Sequence, residues 1–370
     1  MGAINVDNTG SGGAITLSSD GTNLLLGGSA VGGDPALYRD NASGATTPVA
    51  SANNSVAIGD ESTASGVNSF SFGQKSVASG IDSVAMGYQA LANSLQAVAM
   101  GSYSRGYGTA AVSLGKSYAS GEDSFAATID NNSSSYGATG ANSVAIGLTA
   151  KASGAKSLVI GGEANIASAV LGTVVGGANN TASNNYAFVA GSTNTGSGYA
   201  STVTGRSNTA SGFYASAFGF ESKATIVGQT ARAAGKFAAV GDAQGSTFIL
   251  RSDTTDATAE AMTTNNSTAA ADNQIVAASD TCITFSGTIV AMQNGAQSYG
   301  SWKIEGLLVN DGGTTTLANS AITVIQNASS WGLALSADNT NNALKIQVTG
   351  EASHNIRWVA NVQTAEVTYA

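Results

Sequence analysis

A chain with one histidine, His354, and one cysteine, Cys282, has little from which to build an active site. A serine hydrolase needs a histidine base between a serine and a carboxylate, and no spacing here aims a serine at His354. That residue is expected on the surface or in a strand. A zinc site needs several His or Cys ligands and cannot be assembled from one of each, and Cys282 has no intrachain disulfide partner. Gly115-Lys116-Ser117 matches the end of a phosphate-binding loop, but Ala110 stands where the earlier glycine belongs. Asp338-Asn339-Thr340-Asn341-Asn342 offers calcium-type oxygens, yet Ala343 replaces the loop glycine, so a hairpin turn is expected. Glycoside hydrolysis needs two carboxylates across a cleft, ~5–9.5 Å apart. The acids come instead as neighbours, Asp60-Glu61 and Glu122-Asp123, whose side chains diverge. No catalytic residue, cofactor or metal is therefore expected. Binding is the chemistry that remains, and its candidate receptor contacts are Tyr103, Tyr107, Tyr118 and Tyr136, with Tyr299, Trp302 and Trp331 further on. Aromatic rings of this kind stack on sugars, but they also cap turns and fill cores, and both readings stay open.

The elements that must carry these side chains follow from composition. The chain has 370 residues, of which only 10% are charged and 42% hydrophobic, with 47 glycines and 2 prolines. A charge-driven disordered chain, a solvated coiled coil, collagen and a Pro-rich linker are all excluded. A turn-dense, small-residue, apolar chain reads as all-β. Its 23 acidic and 14 basic residues give a net charge of −9 without a block of either sign, which argues against nucleic acid as a partner. No run approaches a membrane helix, so no membrane insertion is expected. Met1-Gly2-Ala3-Ile4-Asn5-Val6 has no basic segment and no long apolar stretch, so no export signal is expected either.

An internal repeat dominates the pattern. Asn54-Ser55-Val56-Ala57-Ile58-Gly59 returns as Asn68-Ser69-Phe70-Ser71-Phe72-Gly73, then as Asp82-Ser83-Val84-Ala85-Met86-Gly87 and twice more, closing at Gly101 and Gly115. Ala-Ser-Gly falls between copies at 64–66 and 78–80, and later copies close at Gly147, Gly161, Gly176, Gly191, Gly205 and Gly219. A degenerate copy at 123–128 precedes a polar insertion. Two short extended pieces and two Gly or Ser corners per unit make one coil of a solenoid, with each coil pairing to the next and edges left only at the ends. Alternation of large, small, large (Val56, Ala57, Ile58) is expected to put the large pair in the coil's own interior and the small residue against a close neighbour. So slender a coil is thinly stabilised alone, which points to self-association.

The Asn-Ser-Val-Ala-Ile-Gly unit with Ala-Ser-Gly at a 14-residue period resembles the head repeat of trimeric autotransporter adhesins of the YadA type, from about Asn54 to Gly241. The resemblance implies a left-handed parallel β-roll, three chains side by side, and binding rather than catalysis. It is a partial one: the adhesins' coiled-coil stalk, membrane β-barrel anchor and export signal have no counterpart here, and after Gly161 the middle residue becomes Val159, Val174, Val189 and Val203.

Three regions follow. Residues 1–50 read as short strands such as 14–17 and 24–26, similar in composition to the attachment segments of phage tail fibres. Residues 51–241 are the repeat. Residues 242–370 carry strand-like runs at 247–250, 283–290, 302–309, 321–325, 344–348 and 356–367, as expected of an antiparallel β-sandwich. Within it, 246–251 and 254–258 are similar to C-terminal modules of phage tail fibres. The expectation is a homotrimeric, non-enzymatic phage tail fibre on the virion. Its partners would be two copies of itself, a tail or capsid protein at the N-terminal segment, and a host surface glycan or protein. The alternatives are a capsid-attached fibre or decoration protein, or a bacterial surface adhesin fragment.

Overall fold

The computed structural model describes residues 46–127, 130, 135–295, 298–327 and 331–369, with the backbone of four earlier strands. Those strands, Ile4–Val6, Ile15–Ser19, Leu24–Leu26 and Ser29–Val31, form an antiparallel sheet in chain order. They include the expected pieces near 15–17 and 24–26; Ala14 and most of the polar insertion after Ala127 lie outside the described residues. No helix occurs among the described residues, and the chain divides into two compact units, Met1–Thr149 and Ala150–Ala370.

In the first unit a 14-residue stretch is one coil of a parallel β-solenoid. Val56–Ile58, Phe70–Phe72, Val84–Met86 and Val98–Met100 pair in parallel and in register, Val56 to Phe70 to Val84 to Val98. Thr63–Ala64, Val77–Ala78 and Leu91–Ala92 make the second, shorter ladder. The corners between ladders fall every seven residues on a left-handed position, filled by Asn54, Glu61, Asn68, Lys75 and Asp82. Asn and Asp suit that conformation, and here they also link the stack: Asn54 Nδ2 donates to Asn68 Oδ1 (3.0 Å) and Asn68 Nδ2 to Asp82 Oδ1 (2.8 Å). The two glycine signatures share one constraint, and the first carries a second. A Cβ at Gly59, Gly73 or Gly66 would run into the backbone of the next coil, most severely at Gly66 against the Gly80 carbonyl oxygen, and Gly59 and Gly73 in addition have φ of +116° and +129°, which L side chains rarely adopt.

The alternation works the other way round from the sequence expectation. Ala57, Ser71, Ala85 and Ala99 are fully buried inside the coil, while Val56, Ile58, Met86 and Phe72 point outward, Phe72 with 47% of its surface exposed. The walls of a 14-residue coil lie too close together to admit two large side chains, so Ala64, Ala78 and Ala92 meet Ala and Ser across the lumen. Hydroxyls tie the Ser-lined coils together: Ser71 Oγ lies 2.7 Å from Ser76 Oγ and Ser62 Oγ 3.0 Å from Ser71 Oγ.

The second unit winds similarly with a different filling. Val159, Val174, Val189 and Val203 occupy the middle position and are fully buried. Each is followed five or six residues later by a buried asparagine, Asn165, Asn180, Asn194 or Asn208. Asn194 Nδ2 donates to Ala190 O (2.8 Å) in its own corner and to Gly205 O (2.7 Å) in the next coil. Its Oδ1 accepts the backbone N–H of Asn208 (2.9 Å), and the pattern runs from Asn165 to Ser222.

The last coil strand, Thr230–Ala234, pairs antiparallel with the first strand of a C-terminal module, whose strands we number β1 to β9. β1 (Ala243–Thr254), β9 (Ile356–Thr368), β4 (Thr281–Gln293), β5 (Tyr299–Asp311) and β6 (Thr314–Asn327) form, in that spatial order, one antiparallel sheet. A smaller sheet has β8 (Ala343–Thr349) between β7 (Gly332–Asp338) on one edge and the short β2 (Ala259–Ala261) and β3 (Ile275–Val276) on the other. One core of Phe248, Leu250, Ile283, Trp302, Ile346 and Trp358 lies between them. All six expected strands are present; β2, β3 and β7 are additional. At the junction, burial pushes the Asp242 carboxyl up, but N–H donors from Ala238, Ala239 and Phe237 and the nearby Lys236 outweigh it and hold it below the usual carboxylate range.

Candidate binding surface

The acids considered for catalysis sit in the corners, Glu122 and Asp123 exposed and Asp60 and Glu61 bonded along the stack. Asp60 accepts the Thr46 N–H (2.7 Å) on one carboxylate oxygen and Gln74 Nε2 (2.9 Å) on the other. Glu61 faces Lys75 at 3.6 Å. His354 is a half-buried surface residue with Nδ1 3.4 Å from Glu351. Asp338 accepts the N–H groups of Thr340 (3.0 Å) and Asn341 (3.2 Å), closing the β7–β8 turn as a hairpin.

The four corner tyrosines of the first unit do not make one cluster. Tyr103 meets Tyr88 edge-on with centroids 5.3 Å apart, and its hydrogen bond with Tyr88 raises its pKa. Tyr107 and Tyr118 form a separate edge-on pair at 5.3 Å, with Arg105 donating to the Tyr107 hydroxyl (3.0 Å). Tyr136 stands half-buried just before the short strand Gly137–Ala138. Ring contacts thus explain part of the placement of Tyr103, Tyr107 and Tyr118, and all four tyrosines are half-buried.

The broadest aromatic strip of the coils lies in the second unit, and the sequence reading missed it. Tyr199 is edge-on to Tyr186 (5.3 Å) and to Tyr214 (5.7 Å) and tilted against Phe213 (6.0 Å). Tyr186, Phe213 and Tyr214 are exposed, Tyr214 at 60%. Burial by these neighbours is the first cause raising the Tyr199 phenol pKa. The available signal was the step of 14 from Tyr199 to Phe213, which places both at one corner of consecutive coils.

In the C-terminal module two of the three candidate contacts are corrected. Trp302 and Trp331 are buried at 1% and 4% exposure, packed on Trp358 with centroids 5.4 Å and 5.6 Å away. Three indoles form the centre of the core, and Trp358 Nε1 is satisfied by Thr254 Oγ1 (3.0 Å), which leaves no ring face for a ligand. Tyr299 is exposed on the outer face, paired across from Met292. There Val290, Met292, Arg357 and Val359 line a groove of roughly 850 Å³.

The in-register coil stack with Ala-Ser interior matches a known family model: the YadA head domain repeat aligns with residues 50–76, 78–104 and 138–164. The chain carries YadA-like head repeats. No curated protein sequence matches the chain. The YadA-like matches end at residue 164, where the Val-Asn filling takes over, so the second unit's coils past that point stand on geometry alone.

Proposed function

We propose that the chain is a homotrimeric, non-enzymatic attachment fibre that binds a surface receptor. The observation that carries this is the outward ladder of the YadA-like coils: Val56, Phe70, Val84 and Val98 in one column and Ile58, Phe72, Met86 and Met100 in the next. A continuous apolar stripe of this kind suits burial against sister chains. Three copies then present each receptor contact three times, so weak single contacts add to firm adhesion. The repeats are those of an adhesin-like, surface-exposed protein.

Within that class the reading we adopt is a phage tail fibre for host-receptor recognition, attached to tail or capsid through residues 1–50. It is supported by the similarity of 246–251 and 254–258 to tail-fibre modules. The matched repeat itself favours a bacterial surface adhesin as the second reading. Receptor contacts on this proposal are Tyr186, Tyr199, Phe213 and Tyr214, with Tyr103, Tyr107, Tyr118, Tyr136 and Tyr299. The ligand class is a surface glycan, whose sugar faces stack on tyrosine rings. Fluorescently labelled protein added to host cells is expected to bind and to block infection, and the double variant Tyr199→Ala/Tyr214→Ala to bind at least several-fold less. Antibody labelling of intact virions separates tail from capsid attachment and both from a bacterial surface. Wild-type protein that leaves infection untouched removes receptor recognition, and reducing sugar released from host polysaccharide replaces binding with depolymerisation.

A further inference from the structure

The outer face of the large sheet in the C-terminal module carries exposed side chains that the core does not use. Asp253 on β1, Arg357 on β9, Met292 on β4 and Tyr299 on β5 stand directly across from one another, one row over four strands. Three strand spacings of ~4.8 Å carry that row over ~14 Å. All four residues are exposed, Met292 at 65%. In the next row of the same face Val290 pairs with Val359, both exposed. Asp253, Arg357, Met292, Val290 and Val359 line the groove of roughly 850 Å³, and Tyr299 closes the row at its far end. Clefts of ~300–1,000 Å³, mostly apolar with a few placed polar groups, are the usual small-ligand sites.

The charged pair is the informative part. Opposite charges directly across two strands stabilise a sheet by pairing, yet among the described residues Arg357 makes no ion pair and no hydrogen bond. Asp253 is held from another side: its Oδ1 accepts Asn266 Nδ2 (2.9 Å), and Thr254 beside it is fixed from the core by Trp358 Nε1 (3.0 Å). Its Oδ2 has no partner among the described residues. Arg251, in the next row, donates to the Thr264 carbonyl (3.4 Å) and does not line the groove. The groove thus sets a donor fork and a free acceptor oxygen side by side next to an apolar floor, on strands whose other face is locked into the core. The middle of a protein interface is depleted of charge, so an unpaired guanidinium beside a carboxylate speaks against a sister chain as the occupant.

We infer that this groove is a saccharide site for a neutral sugar with two adjacent hydroxyls. A hydroxyl both donates and accepts, so one member of the diol accepts from Arg357 while the other donates to Asp253 Oδ2. The C–H face of the ring lies on Met292 and Val290, and the next ring of the chain reaches Tyr299, where an aromatic face stacks on it. The Asp253 carboxylate repels an acidic sugar at the same place, which sets the preference for a neutral one. The inference rests on the attachment reading and gives it a second site, separate from the tyrosine strip of the coils.

The test uses the full chain and, as probes, maltotriose, mannobiose and lactose, with sialyllactose as the acidic comparison. Saturation-transfer NMR follows binding, and the near-ultraviolet signal of the tryptophan cluster reports folding of each variant. The expected result is binding of at least one neutral probe, weakened on the order of tenfold by Arg357→Met and by Asp253→Asn. Lys303→Met, which removes an exposed cation outside the groove, should leave it unchanged. If Asp253→Asn loosens the module, Arg357→Met decides alone. Neutral-sugar binding that both variants leave intact, or binding of sialyllactose alone, overturns the site. Binding of no neutral probe also overturns it, and a lower sedimenting mass for Met292→Lys then gives the face to a sister chain. None of these results touches the attachment reading, which stands or falls with the host-cell assay on wild-type protein.

Discussion

The coils of the two units solve one problem with two fillings. In the first unit Ala57 or Ser71 occupies the middle position and a small residue such as Ser62 or Ser76 the corner. In the second, Val159 to Val203 occupy the middle and Asn165 to Asn208 the corner. A larger middle residue takes up more of the lumen, and the longer corner side chain reaches the backbone of two coils. The compensation is visible in detail at Gly196, where an added Cβ would come within 2.8 Å of the Val189 side chain. The outward columns differ as well: the first unit's are apolar, as at Phe70, Phe72 and Met100, whereas in the second unit Thr173, Thr202, Ser216 and Thr230 are interspersed with Leu158, Ile160, Val175, Phe188 and Phe218.

The comparison can be broken most sharply at the corners. Asn194→Ala removes three hydrogen bonds, among them the acceptor of the buried Asn208 N–H, so a loss of about 3 kcal/mol in denaturant unfolding is expected. Ser104→Ala, at the equivalent corner of the first unit, loses the bonds to Ser113 and should cost only about 1 kcal/mol. Exchanging the middle residues comes next. Val189→Ala opens a cavity costing about 2 kcal/mol, whereas Ala85→Val overpacks a lumen built for a methyl and costs about 1–3 kcal/mol; equal tolerance of both would remove the distinction. On the outward face Met100→Lys should leave thermal unfolding of the coils unchanged while lowering the sedimenting mass, and Thr202→Lys should alter neither.

The smallest effect concerns pH at the junction. A carboxyl held below its ordinary value of about 3.9 contributes stability above that value and loses it as pH falls through its lower folded pKa. The 236–242 turn is therefore expected to loosen below about pH 4 in the wild type, read by amide exchange, and Asp242→Asn to show a turn already weakened at neutral pH and flat across that window.

Much of this architecture was legible because glycine spacing reports backbone geometry directly: closing glycines 14 apart required stacked corners, and the stack is in register. Which face of Val56-Ala57-Ile58 turned inward was not legible, since period two fixes only that the faces differ, and lumen width decides between them. The drift to valine was visible, but its meaning depended on pairing each valine with an asparagine one corner later, a relation across a turn rather than along a strand. The tryptophans were assigned to ligand and core alike because an aromatic side chain serves either, and burial alone separates Trp302 from Tyr299. The exposed tyrosine strip went unseen because its members, Tyr186, Tyr199 and Tyr214, are 13 and 15 residues apart and occupy alternate columns of the same corner.

The asparagine series has a direction. Each amide carbonyl receives the next coil, and at Ser222, whose N–H and hydroxyl both donate to Asn208 Oδ1 at 2.8 Å, no amide is left to receive another. Ser222 thus closes the amide relay, which runs one way from Asn165, with a single strand of the longer coil ladder, Thr230–Ala234, still to come before the antiparallel module begins.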